Sequence, residues 1–233
     1  GMDVDRLEAA LKAHPEAKLI YTIPNFQNPT GVTLSTERRR RVVELANRYD
    51  VLVVEDCPYR ELRYEGEVQP SLRSFDTEGR VIHLGSFSKV LCPGLRIGYV
   101  IADVAIIQKL LMLHSVGDLQ CTTVVMYALD RLLEQFDLDA HVRHMCGVYA
   151  EKKNRMIALL GEQLPPGATY TNPDGGLFLW LTLPGGIDMG ALMREVLVPR
   201  AKVLLLPGEA LFCENPQRNT ARLNFSHPSL EKI

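Results

Sequence analysis

Apolar and polar positions along this chain fall into blocks with two different periods. Leu7, Leu11 and the alanines between them follow a helical period that should stop near Pro15. Residues 18–23 (KLIYTI) are rich in β-branched and aromatic side chains and end at Pro24, so they predict a buried strand. Ser35 or Thr36 then caps a helix running to about Tyr49, with Val42, Val43, Leu45 and Ala46 on its apolar face. The arginines at 38–41 read as a solvated face of that helix rather than a nucleic-acid patch, because acidic residues nearby offset them. Uninterrupted apolar runs at 51–55 (VLVVE), 81–84 and 97–101 (IGYVI) predict strands covered on both faces, as in parallel sheets.

From 104 to 160 the period is helical, and 142–160 predicts one long helix ending near Gly161. Pro165, Pro166 and Gly167 break the pattern. Beyond them a strand at 176–183, a helix at 189–197 and strands at 203–206 and 222–225 predict a small α+β domain. The first half predicts an α/β fold with an open, mainly parallel sheet, and ligands of such sheets bind beyond the carboxyl ends of the strands. The expected division is a large domain over 1–140 and a small one over 141–233.

Composition narrows the options only a little. Among 233 residues, 46% are hydrophobic and 23% charged, which is ordinary for a globular chain. A net charge of −2 gives no reason to expect nucleic acid or acidic lipid as a partner. No apolar run is long enough for a membrane span, and the polar start, GMDVDR, does not read as a signal peptide, so a cytoplasmic protein is expected. The five cysteines include no CxxC pair and the six histidines show no ligand spacing beyond His141 and His144, which read as a solvated pair. No metal site is expected from spacing.

Candidate chemistry lies just after the predicted strands. Lys89 follows Gly85-Ser86-Phe87-Ser88, and Arg96 follows Pro93-Gly94-Leu95. A lysine on such a turn suits Schiff-base chemistry with an aldehyde cofactor, with the hydroxyls of Ser86 and Ser88 and the Arg96 guanidinium holding a phosphate. Asp56 ends the 51–55 run; a partly desolvated carboxylate there needs a cationic partner, such as a protonated pyridine nitrogen, unless it only caps the next turn. Tyr59 could reach a phenolic oxygen of the same ring. Asn28, in Gln27-Asn28-Pro29-Thr30-Gly31, can donate its amide to a ring oxygen or a carboxylate. Arg222 is the type of residue that grips a carboxylate bidentately, although on its own it reads more readily as a surface charge. Ser86 and Ser88 lack the partners of a hydrolase triad.

Taken together, IPNFQNPTG at 23–31, VEDCPY at 54–59, GSFSKVLCPGLRIGY at 85–99, GGLFLW at 175–180 and RLNFS at 222–226 resemble the pyridoxal-phosphate aminotransferases of fold type I, class I/II. The likeness is to the 2-aminoadipate and kynurenine types and to the aminotransferase-like domain of MocR regulators. It implies a partial aminotransferase large domain and a C-terminal small domain, with pyridoxal 5'-phosphate as cofactor. Lys89 would carry the Schiff base and move the α-proton. Asp56 would pair with the pyridine nitrogen, Tyr59 and Asn28 would bond the ring's phenolic oxygen, and Ser86, Ser88 and Arg96 would bind phosphate. Arg222, with Asn28, would bind the substrate carboxylate. The implied reaction is amino transfer between an amino acid and a 2-oxo acid in a homodimer.

Compared with that family, the chain starts inside the large domain and stops before the usual final helix. The expectation is therefore a fragment that lacks the phosphate-binding helix start and the ring-stacking aromatic, binds cofactor poorly and turns over little. Other expectations are the effector domain of a MocR-type regulator, a non-catalytic interaction piece, or a different pyridoxal-phosphate reaction such as C–S lysis or decarboxylation.

Overall fold

The computed structural model describes residues 1–117 and 119–233. The chain divides into two compact units. The first holds residues 1–25, 34–62 and 67–144; the second holds 26–33, 63–66 and 145–233. No helix among the described residues is long and apolar enough to cross a membrane.

In the first unit, α1 (Val4–Ala13) begins where the Asp3 carboxylate accepts the backbone N–H groups of Asp5 and Arg6. β1 (Leu19–Thr22), β2 (Leu52–Asp56), β3 (Val81–Ser86) and β4 (Gly98–Ile101) form one sheet in that order. The first three strands run parallel. α2 (Thr36–Tyr49) starts at Ser35, whose hydroxyl accepts from Arg38, and ends at Asp50 in a left-handed conformation. Its apolar stripe of Val42, Val43, Leu45 and Ala46 packs with Ile20, Val53 and Val81 in one core. Those three are register partners on neighbouring strands, so they share one face of the pleat.

Local expectations change at Arg39, at the strand over 97–101 and at the end of the long helix. Arg39 is not on the solvated face: its side chain is buried and donates to the carbonyls of Leu34, Pro70 and Pro24 and to Asn25 Oδ1 at 2.7–2.9 Å. A guanidinium can be buried when its N–H groups are satisfied, and a run of arginines does not reveal which one meets loop carbonyls. The strand at 97–101 is antiparallel to β3 and exposed along its whole length, because it is the edge of the sheet. The helical stretch after 104 is three helices, α3 (Val104–Gly117), α4 (Thr123–Gln135) and α5 (Leu138–Gln163). α3 and α4 expose Leu113, Val116, Val124 and Tyr127, each by more than two thirds. α5 belongs mostly to the second unit and runs past Gly161, a tolerated interior glycine, to stop before Pro165.

The second unit is built on an antiparallel sheet in the order β5 (Thr169–Tyr170), β6 (Phe178–Thr182), β8 (Thr220–Asn224), β7 (Leu206–Pro207). Leu179, Leu181, Ala221 and Leu223 pack with Met189 of α6 (Met189–Leu192), Met193 and Phe225, and α5 adds Met156, Ile157 and Leu160. The strand expected at 203–206 shrinks to Leu206–Pro207, and the helix expected to end at 197 continues from α6 as a π-helix, Met193–Ala201, that contains Pro199. A proline N–H is missing from the hydrogen-bond ladder, and the wider π spacing accommodates that gap.

Candidate active site

Within the first unit the candidate residues gather at the carboxyl ends of β2 and β3. Asp56 is the last residue of β2 and lies opposite Leu84 in the parallel register, two positions before Ser86, which ends β3. Asp56 is half-buried, and its Oδ2 accepts a 2.6 Å hydrogen bond from the Tyr21 hydroxyl on β1. Burial first, and then the hydrogen bond and charge of Asp56, push the Tyr21 phenol well above its ordinary 10.0, so Tyr21 stays a donor. Tyr59 is buried in the turn after β2. Ser86 Oγ accepts the N–H of Ser88 at 3.1 Å, which closes the turn that carries Lys89. Lys89 is half-buried, between Ser88 and the buried Val90.

The glycines of this turn have a steric reason. A Cβ on Gly85 would meet the Tyr99 ring at 2.0 Å, and one on Gly98 would meet the Gly85 carbonyl oxygen at 2.8 Å. Small residues therefore let β4 close against β3 next to Ser86. Arg96 is exposed and left-handed, with φ 54°, at the end of the short Pro93–Leu95 turn. Its Nη1 donates weakly to the Pro93 carbonyl at 3.4 Å.

Within the second unit Asn28 and Arg222 come together. Asn28 sits in a turn held by the Gly31 N–H to the Gln27 carbonyl at 2.6 Å and by the Thr30 hydroxyl to Gln27 Oε1 at 2.7 Å. Gly31 has φ 74°, and a Cβ there would meet the Phe178 carbonyl at 2.6 Å, so glycine is required on both counts. Arg222 stands on β8 opposite Trp180 of β6 and Leu206 of β7. Its Nη1 donates to Asn28 Oδ1 at 2.8 Å, and its guanidinium carbon lies 4.2 Å from the Phe178 ring centre. Its Nε is buried with no hydrogen-bond partner. Buried donors are rarely left unsatisfied, so this guanidinium is an exception among the described residues.

Two contributors escape sequence reasoning. Tyr21 lies 35 residues before Asp56 and shows only as one more aromatic in a strand. The ring of Phe178 under Arg222 is visible only once β6 and β8 are paired.

The chain belongs to the aminotransferase class I and II family, whose model matches residues 1–233. Among its relatives, aromatic-amino-acid aminotransferase 1 of Thermococcus litoralis is 44% identical over the whole chain, which spans 56% of that protein. The structure of the α-aminoadipate aminotransferase LysN from Thermus thermophilus, complexed with N-(5'-phosphopyridoxyl)-L-leucine, superposes with a TM-score of 0.91 at 34% identity, over the whole chain and 59% of LysN. The HTH-type transcriptional regulator NorG of Staphylococcus aureus is 30% identical over 93% of the chain, the match spanning 48% of NorG. The chain thus spans little more than half the length of the aminotransferases it matches.

Proposed function

We propose that this chain carries the lysine half of a pyridoxal-phosphate aminotransferase site, acting on an amino acid and a 2-oxo acid. The observation that carries this reading is the half-buried Arg222 fork, with its Nη1 braced by Asn28 and its guanidinium over the Phe178 ring. The donor set on the first unit fits the cofactor. Asp56 has one oxygen engaged by Tyr21 and Oδ1 left for a pyridine N–H. Ser86 accepts at Oγ from Ser88, which leaves its own hydroxyl proton for a phosphate, to which Ser88 would add a hydroxyl and Arg96 a charge.

When bound, the cofactor supplies a conjugated, electron-withdrawing ring that lets the substrate Cα lose its proton. Asp56 would keep the ring nitrogen protonated, and the Tyr21 hydroxyl, already on Oδ2, would leave Oδ1 to face it. Tyr59 would donate to the phenolic oxygen, and Asn28 Nδ2 is a further amide donor on the second unit. Lys89 Nζ would hold the aldehyde end and, once freed, would take and return the Cα proton. Arg222 orients the substrate through its carboxylate. In this reading 1–140 form the cofactor-binding part and 141–233 the smaller domain, and the exposed apolar side chains of α3 and α4 support a homodimer. A cytoplasmic setting belongs to the same proposal.

Borohydride trapping tests it. The chain is incubated with pyridoxal phosphate, reduced, digested and mapped by mass spectrometry. A pyridoxyl group confined to Lys89 is the expected result; low labelling scattered over many lysines would refute the reading. A second reading, an effector-sensing domain, draws on the similarity to NorG. It predicts the same adduct but no release of a 2-oxo acid from any amino acid.

A further inference from the structure

On the opposite face of β2 from Asp56, three side chains that no part of the proposed reaction uses converge inside the protein. Glu55 and Cys57 lie two positions apart along the β2 segment, and His83 is the register partner of Glu55 on β3. All three are buried, with exposures of 0%, 3% and 5%. One donor atom from each lies within 4.8 Å of the others, the sole such His/Cys/Asp/Glu group among the described residues. We propose that Glu55, Cys57 and His83 form a zinc-class divalent metal site.

The donor chemistry suits it. A carboxylate oxygen, an imidazole nitrogen and a thiolate are the three ligand types of zinc. Zinc bonds of roughly 2.0–2.3 Å place tetrahedral ligands about 3.5 Å apart, so the widest pair must close by about an ångström, a side-chain torsion rather than a backbone shift. The carboxylate is already aimed: Glu55 Oε1 accepts the N–H of Leu72 at 2.8 Å, and Oε2 accepts the N–H of Arg73 at 3.3 Å. Such outer contacts are what fix a metal ligand's orientation. Asn25 Nδ2 donates to Cys57 Sγ at 3.8 Å, a contact that fixes where the sulfur points. His83 Nδ1 is 3.1 Å from Glu55 Oε2, so the imidazole is held in the cluster by the carboxylate it would share the ion with.

Charge points the same way. A divalent ion bound by one carboxylate and one thiolate leaves a buried centre with no net charge, whereas the thiolate alone would add a second buried anion beside Glu55. Binding forms the metal–sulfur bond and releases the Cys57 thiol proton to solvent. The imidazole gives up the Nδ1 proton that it shares with Glu55, binds the ion through Nδ1 and takes a proton on Nε2, so its own charge does not change. The ligands come from two strands rather than from one CxxC segment, so residue spacing gives no hint of them.

Cobalt(II) titration of the reduced, metal-free chain, followed by zinc displacement, tests the site without any cofactor. The expected result is one ion per chain, a near-ultraviolet thiolate-to-cobalt charge-transfer band, and at least about tenfold weaker binding in Cys57→Ser and His83→Gln, with Cys92→Ser as the unchanged control. A band that survives in Cys57→Ser, or no uptake by the folded chain, overturns the proposal. If the variants do not fold, X-ray absorption on the zinc-loaded chain decides: one sulfur among nitrogen and oxygen neighbours supports the site, and a shell without sulfur overturns it.

Discussion

Two arginines in this molecule are suited to hold anions, and the protein treats them very differently. Arg222 is half-buried on a central strand, its Nη1 fixed by Asn28 and its plane by Phe178, with Nε kept dry and unpaired. Arg96 is exposed on a left-handed turn, and its contact to the Pro93 carbonyl is long. The first guanidinium has already given up its side-chain entropy during folding, so in the proposed chemistry a ligand would meet a finished fork. The second must be ordered by whatever it binds. A carboxylate site of this kind gains from bidentate geometry, whereas a phosphate can be held by any nearby positive charge, hydroxyl or N–H.

The largest effect should come from removing the reactive group of the proposed chemistry. Lys89→Ala should lower amino transfer by about 10³–10⁴-fold, since both the covalent hold and the proton transfer are lost. It should leave the melting temperature nearly unchanged, because the side chain is only half-buried. Single-turnover kinetics and calorimetry read the two quantities separately. Activity that survives would remove Lys89 from the reaction.

The comparison itself is sharpened by making one change at both arginines. Arg222→Lys should cost about 10²-fold in kcat/KM for the amino acid, roughly 3 kcal/mol, because an ammonium cannot replace the fork or its stacking on Phe178. Arg96→Lys should cost less than about tenfold in cofactor affinity, because a point charge still attracts phosphate. Equal losses at the two positions would mean that the bracing of Arg222 is irrelevant to binding.

A third change separates scaffold from site. Asp76 sets the entry to β3, the strand that delivers Ser86. Its Oδ2 accepts the Val81 N–H at 2.8 Å and its Oδ1 the Arg80 and Glu78 N–H groups at 3.1 Å, and its side chain is fully covered. Burial pushes this carboxyl up, but those N–H groups and Arg73 together outweigh it and hold it below its ordinary 3.8. A depressed carboxyl stabilises the fold above its unfolded value and loses that contribution as pH falls through the folded one. Asp76→Asn should therefore cost about 2 kcal/mol near neutral pH, with the gap to the parent closing as the pH falls below 3.8. Urea midpoints under the two conditions measure this. A gap that stays constant with pH would assign the loss to packing instead.

How much of this was legible beforehand depends on how local each signal is. The parallel strands, the α2 cap at Ser35 and the turn around Lys89 are written in short segments, through alternation, capping chemistry and glycines at close approaches. The direction of β4 was not, because an apolar run reads the same in either direction and IGYVI says nothing of its partner. Arg39 was missed for a related reason: four consecutive arginines look alike until a loop carbonyl arrives to bury one of them. Arg222 shows both limits. Its residue type suggested a carboxylate, but its burial and its bond to Asn28, 194 residues away, exist only in the fold.

The smallest predicted effect addresses the one contact at Asp56 that could not be read from the chain. Tyr21 is more than half exposed, so replacing it with Phe removes a hydrogen bond that water can partly restore. Tyr21→Phe should thus leave stability within about 1 kcal/mol of the parent. What water cannot restore is direction. With Tyr21 at Oδ2, the other oxygen of Asp56 would be held toward the ring nitrogen of a bound cofactor; without it the carboxylate can turn. Cofactor affinity should fall by about two- to fivefold, roughly 0.5–1 kcal/mol, with KM for the amino acid unchanged, because Arg222 is untouched. A change in KM with constant cofactor affinity would place Tyr21 with the substrate instead. The difference between the two regions would then hold in finer form: at Arg222 the protein fixes a guanidinium for substrate, and at Asp56 it fixes a carboxylate for cofactor, each through a single side-chain hydrogen bond.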